Sequence, residues 1–147
     1  MTMGASLAKG LQALVLAAVL LPQVAPAATT EAADEAKPLT AEEFDALSVG
    51  RTLTYAAGGR VYGTEQYLPN RRVIWAFTGD VCKSGHWFPE GDEICFAYED
   101  VADLQCWTFF QTPGGIAAKF RGDPAGDPLI AVQDSDQPLP CMPDVGV

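Results

Sequence analysis

Few side chains in this sequence combine a reactive type with a placement that chemistry could use. A serine or cysteine nucleophile needs a base within hydrogen-bond reach. The only histidine is His86, inside the run Ser84-Gly85-His86-Trp87-Phe88. After residue 27 the serines are Ser48, Ser84 and Ser135, and none sits in a G-x-S-x-G elbow. Paired acids such as Glu42-Glu43, Asp92-Glu93 and Glu99-Asp100 fall at turns or helix starts, where carboxylates serve backbone N–H groups and solubility. Glu65 is the exception, because it lies mid-strand in Tyr62-Gly63-Thr64-Glu65-Gln66-Tyr67. It could face a cavity as a functional acid. The ordinary expectation is an outward carboxylate paired across strands with Arg71 or Arg72. Those two arginines could clamp an anion at a barrel mouth, although local charge balance is the commoner use. No catalytic residue is assigned. The candidate ligand or partner contacts are Glu65, Arg71, Arg72, His86 and Trp87.

The N-terminus explains the compartment in which these groups must work. Lys9 precedes the apolar run Leu11 to Leu21, and Ala25 and Ala27 form an A-x-A box. That order reads as a signal peptide cut after Ala27, with an apolar run too short to span a membrane. The expected location is therefore periplasmic or secreted, with no stable membrane anchor. Cleavage of the 147-residue chain would leave 120 residues, enough for one domain. It would also remove Lys9, leaving 8 basic against 19 acidic side chains, net −11. Such a balance argues against nucleic acid and against anionic lipid, which need clustered Lys and Arg. A basic partner protein remains compatible.

Residues 28–38 have no large apolar side chain and read as a flexible acidic leader. The single domain then spans 39–147, ending in a Pro-rich tail. Thr40 with Glu43 three residues later forms a capping box, and Leu39 and Phe44 are placed as its hydrophobic staple. A short helix from Ala41 to Ser48 should follow, with Phe44 and Leu47 on one face and Gly50 ending it. Beyond Arg51, runs rich in Val, Ile, Thr and aromatics alternate with turn residues. Strands are predicted near 51–56, 60–68, 71–78, 82–88, 93–99, 104–111, 116–121 and 129–133. Their short connections require antiparallel hairpins, since a parallel crossover takes about a dozen residues. The predicted fold class is all-β, an antiparallel meander of about eight short strands curled into a small barrel or half-barrel with one N-terminal helix. Aromatic residues at 62, 67, 75, 87, 96, 98, 107 and 109 could line an apolar pocket. An interior of this size is filled by its own side chains or holds one small ligand, and filling is the default expectation.

The cysteines fix part of the register. Cys82, Cys95, Cys106 and Cys141 are an even set in an exported chain, which reads as two disulfides. With no C-x-x-C pair and one histidine, neither a metal site nor a cofactor is expected. Placing Cys95 opposite Cys106 puts Ile94 opposite Trp107. Ile94, Phe96, Tyr98, Trp107 and Phe109 then share one face and both sulfurs share the other. This agreement favours the Cys95–Cys106 bridge and leaves Cys82 with Cys141. In the third strand, Val73, Trp75 and Phe77 share a face opposite Arg72, Ile74 and Thr78.

With Gly85-x-Trp87, Ile94-Cys95-Phe96 and Cys106-Trp107 in view, the stretch from Leu39 to about Phe120 resembles a group of small exported alphaproteobacterial proteins of uncharacterised role. In these a short helix and a G-R-T strand precede a G-x-W, a C-F strand and a second cysteine. The resemblance implies a periplasmic setting and supports the Cys95–Cys106 pairing; it brings no activity. Cys82 and Cys141 lie outside the shared pattern. A looser likeness of size, export and disulfide stapling is to periplasmic β-barrel inhibitors of secreted proteases or lysozymes. The expected function is a non-enzymatic periplasmic binding or interaction module whose specific role the sequence does not name, a basic periplasmic protein or a small apolar ligand being the compatible partners. The alternative is a proteinaceous inhibitor of a periplasmic or secreted hydrolase.

Overall fold

The capping box forms. In a computed structural model describing residues 36–141, helix α1 (Ala41–Ser48) starts where the Glu43 amide donates to Thr40 Oγ1 at 3.2 Å and the Thr40 amide donates to Glu43 Oε2 at 2.8 Å. The chain leaves the helix through Gly50 at φ +77°, a conformation that suits a residue without Cβ. The signal peptide read at 1–27, most of the leader read at 28–38 and the end of the tail lie outside the described residues.

Eight strands follow: β1 (Thr52–Ala57), β2 (Arg60–Leu68), β3 (Arg72–Phe77), β4 (Lys83–Glu90), β5 (Glu93–Tyr98), β6 (Gln105–Thr112), β7 (Gly115–Phe120) and β8 (Leu129–Ser135). Each pairs antiparallel with the next, and β8 returns to β1, so the sheet is a closed barrel. Closure removes the free edges that an open sheet of this length would expose. The predicted registers hold. Cys95 pairs with Cys106 and Ile94 with Trp107, and the two disulfides join Cys95 to Cys106 and Cys82 to Cys141.

Alternation assigns the interior. Leu53 and Tyr55 of β1, Tyr67 of β2, Val73 and Trp75 of β3, Ile94 and Phe96 of β5 and Phe109 of β6 are buried in one core cluster. Helix α1 closes one end of this barrel. Phe44, fully buried, meets Tyr67, Trp87 and Phe109 at ring-centroid distances of 5.5, 5.1 and 4.4 Å, and the Leu39 amide donates to the Phe109 carbonyl at 2.8 Å. The helix departs from expectation in one place. Ser48, one helical turn beyond Phe44, is buried with it, while Leu47 is exposed. The i,i+4 neighbour lies closer to the centre of the stripe than the i,i+3 neighbour in so short a helix.

The outer face is also covered in two places. Cys95 and Cys106 point away from the core yet are almost wholly buried, because Arg121, paired with Glu90 at 3.1 Å and with Glu93, lies against them. The tail after β8 runs across the outside of β1 and β2. Thr52 Oγ1 donates to the Gln137 carbonyl at 2.7 Å, the Leu139 amide donates to Gln66 Oε1 at 3.1 Å, and the Cys82–Cys141 bridge fastens the end. The disulfide is thus one of three anchors on the tail.

Two stability outcomes follow from this packing. Phe44→Ala should lower the unfolding free energy by about 3–5 kcal/mol, the usual cost of emptying a buried aromatic site. Replacing Cys82 and Cys141 together by serine should cost up to about 4 kcal/mol through loop-closure entropy, the sequence separation being 59. Urea unfolding at equilibrium reads both; an unchanged midpoint in either variant would contradict the packing described.

Candidate functional site

The two ends of the barrel differ. The β2–β3, β4–β5 and β6–β7 turns surround the end that Phe44 plugs. The β1–β2, β3–β4, β5–β6 and β7–β8 connections surround the other, where no helix of the described residues intervenes. Between that open end and the Phe44 plug lies a cavity of about 200 Å³ whose wall is mostly aromatic, including Tyr62, Tyr67, Trp75, Phe96, Trp107 and Phe109. Tyr62, Trp75 and Phe77 pack on one another at the rim with centroids 5.4 to 5.8 Å apart. Tyr62 and Phe77 are exposed there at 41 and 43 %. Deeper in, the hydroxyls of Tyr55 and Tyr67 share a hydrogen bond of 2.9 Å. The interior is therefore only partly filled by its own side chains, which departs from the default expectation of a packed core.

Two glycines leave room for rings of the wall. A Cβ at Gly63 would run into the six-membered ring of Trp75, and a Cβ at Gly85 would sit 2.8 Å from Cδ1 of Tyr98. Gly63 lies beside Glu65 on the inward face of β2, and Gly85 is registered with Val73 on one side and Tyr98 on the other. A side chain at Gly63 would displace the Trp75 ring, and one at Gly85 would meet the Ala97 carbonyl oxygen as well as the Tyr98 ring.

Glu65 is the chemical centre of this cavity. It is only 3 % exposed, and its Oε2 accepts a hydrogen bond from the Tyr98 hydroxyl at 2.7 Å. Its Oε1 is buried with no hydrogen-bond partner among the described residues. Burial raises its pKa to about 8, against the smaller opposing effect of the Tyr98 hydrogen bond. The expectation of an outward carboxylate paired with Arg71 or Arg72 is overturned. Leu68 pairs with Arg72 across the hairpin, so Glu65 pairs with Trp75 and must take the face that Trp75 takes. The signal was present in the sequence: Glu65 shares its parity with Tyr67, and a tight turn at Pro69-Asn70 sets it opposite a residue already read as inward. Tyr98 belongs to the aromatic set expected at a pocket wall, whereas nothing in the sequence pointed to Lys83. Lys83, half-buried on β4, is the other charged side chain on the lining and is registered with Trp75.

The remaining candidates are not gathered here. Arg71 sits in the β2–β3 turn at the plugged end, with its guanidinium 4.7 Å over the Trp87 ring. Trp87 is buried in the core against Phe44. Arg72 and His86 are registered with one another and exposed on the outer surface. Glu90, Cys95 and Cys106 bring a carboxylate and two sulfurs together, but both sulfurs are committed to a disulfide and offer no thiolate to a metal. A second hollow of about 210 Å³ lies beside the end of α1 and the β6–β7 turn, lined by Leu47, Leu53, Gly115, Ile116 and Val132, and no buried polar side chain of the described residues faces it.

A carboxyl group held near neutrality in an aromatic cavity can keep or release a proton in response to what lies beside it. It can donate from its protonated form or accept as the carboxylate. Compared with protein families, with curated proteins and with solved structures, the chain matches none.

The titration of Glu65 has a measurable effect on stability. Its pKa is about 8 folded against 4.5 for the free side chain, so between those values the folded protein holds a proton that the unfolded chain has released. Stability should therefore fall as pH rises through this window, by roughly 1.4 kcal/mol per unit from this group, and level off above it. Glu65→Gln should be the more stable form at about pH 8 and should lack this slope. Urea titrations from about pH 5 to about pH 8 decide the matter; an equal decline in both proteins would remove Glu65 as the source.

Proposed function

We propose that this protein is a non-enzymatic, exported binding module that holds one small, largely apolar molecule inside its barrel. The observation that carries this reading is the aromatic cavity open at one end and containing one buried, incompletely bonded carboxyl group. Ligand sites are typically apolar concavities with a few polar groups that fix orientation. A packed eight-stranded barrel needs no such hollow. An apolar cavity of about 150 Å³ holds benzene, so about 200 Å³ suits a single ring with a short substituent. The driving force would be removal of the guest and of Trp75, Tyr62 and Trp107 from water. Rigid walls lower the ordering cost, since the Cys95–Cys106 bridge and the closed sheet hold the strands before anything binds. Export is supported by the leader pattern and by two disulfides, which persist in oxidising compartments.

p-Cresol and toluene, each at a large excess, should raise the unfolding temperature of the oxidised protein by several degrees. Val101→Trp, which places a bulky ring on the β5–β6 loop at the cavity wall, should abolish that shift while leaving the ligand-free unfolding temperature nearly unchanged. Native mass spectrometry should show one bound molecule per chain. No shift with either compound would defeat the proposal.

A further inference from the structure

Glu65 Oε1 needs an explanation of its own. A buried carboxyl oxygen without a hydrogen-bond partner is uncommon and costly, and such atoms are ordinarily satisfied by something. Here the oxygen belongs to a side chain that lines the cavity, and its sister oxygen is already held by Tyr98. Aromatic rings surround the same space. The faces of such rings carry negative potential and attract cations, most strongly for tryptophan. The loops at the open end add to this field, carrying Asp80, Glu99, Asp100, Asp103, Asp123 and Asp127. Arg121 is turned away and paired with Glu90 and Glu93, which leaves Arg60 beside the β1–β2 turn and Lys83 on the lining as basic side chains at this end. An acidic rim raises the local concentration of cations at the mouth.

We propose that the molecule held in the barrel is a small organic ammonium ion, its apolar body among the rings and an N–H donated to Glu65 Oε1. This rests on the binding reading above and names its ligand class. The ammonium would supply the missing hydrogen bond and the counter-charge together, and Tyr98 would fix the carboxylate from the other side. A neutral alcohol could offer the hydrogen bond only, and a carboxylate guest would meet like charge.

Proton exchange accompanies binding. Without a guest, burial favours protonated Glu65 at neutral pH. An ammonium beside it favours the carboxylate, so the Glu65 proton passes to solvent as the guest enters. The titratable groups around it are Tyr98 from β5, Tyr55 from β1, Tyr62 and Tyr67 from its own strand and Lys83 from β4. Burial pushes Tyr55, Tyr67 and Tyr98 upward, so these hydroxyls stay protonated throughout. Lys83 opposes a cationic guest, and removing its charge should help binding.

Three probes of one shape test the idea by calorimetry on the oxidised protein: 2-phenylethylamine, 2-phenylethanol and 3-phenylpropionate. The amine should bind tightest, and its affinity should rise between about pH 6 and about pH 8 with net proton release seen as a buffer-dependent enthalpy. Glu65→Gln should weaken the amine by about tenfold or more while changing the alcohol little, the loss expected of one charge-assisted hydrogen bond. Lys83→Met should strengthen the amine selectively. Equal binding of amine and alcohol, or an amine affinity indifferent to Glu65→Gln in a variant whose circular dichroism is unchanged, would overturn the ammonium assignment and leave the cavity reading standing. Failure of all three probes would overturn both.

Discussion

Closure of the sheet governs everything else in this molecule. Once β8 hydrogen-bonds to β1, no strand can shift register without breaking pairing on both of its sides, and alternate residues are committed to the interior around the whole circuit. A side chain placed inward by parity has no edge by which to escape. Glu65 is inside for that reason, although a carboxylate would be better solvated anywhere on the outer surface.

The interior so enclosed is divided by one residue. Phe44, carried by a helix that its own capping box starts, occupies the end beneath Tyr67, Trp87 and Phe109, and the strands there pack as a conventional core. Above it the inward positions of β2 and β4 include Gly63 and Gly85, which carry no side chain of their own. Rings from β3 and β5 lean into those places, and the remaining volume opens toward the acidic loops. The plug fills one end of the barrel, and the other end keeps the hollow.

A burial of this kind has a cost. A carboxyl group with one unsatisfied oxygen destabilises the folded state at neutral pH, and stapling compensates: one bridge ties β5 to β6, and the other anchors the tail over β1 and β2. On the binding reading proposed above, this polar group is kept for the contact it makes with a guest. Proteins depart from locally favourable choices mainly where function requires it.

Much of the architecture was written in local sequence. Thr40 and Glu43 sit at a spacing that only a helix start uses, strand runs are separated by Gly, Pro and Asn turns, and the large rings opposite the cysteines separated core from outside on β5 and β6. Those features depend on neighbours a few residues apart, so they can be read without the fold. The inward turn of Glu65 was half legible, through its parity with Tyr67, and was missed because an acid mid-strand is ordinarily outside. Leu47 and Ser48 could not be told apart, since a helix of two turns leaves the centre of its buried stripe undefined. What only the tertiary structure decided is the meeting of Glu65, Tyr98, Trp75 and Lys83 around one empty volume. That meeting requires four strands, β2 to β5, to be brought together by closure, and the size of a void depends on how every ring in the barrel packs against the others.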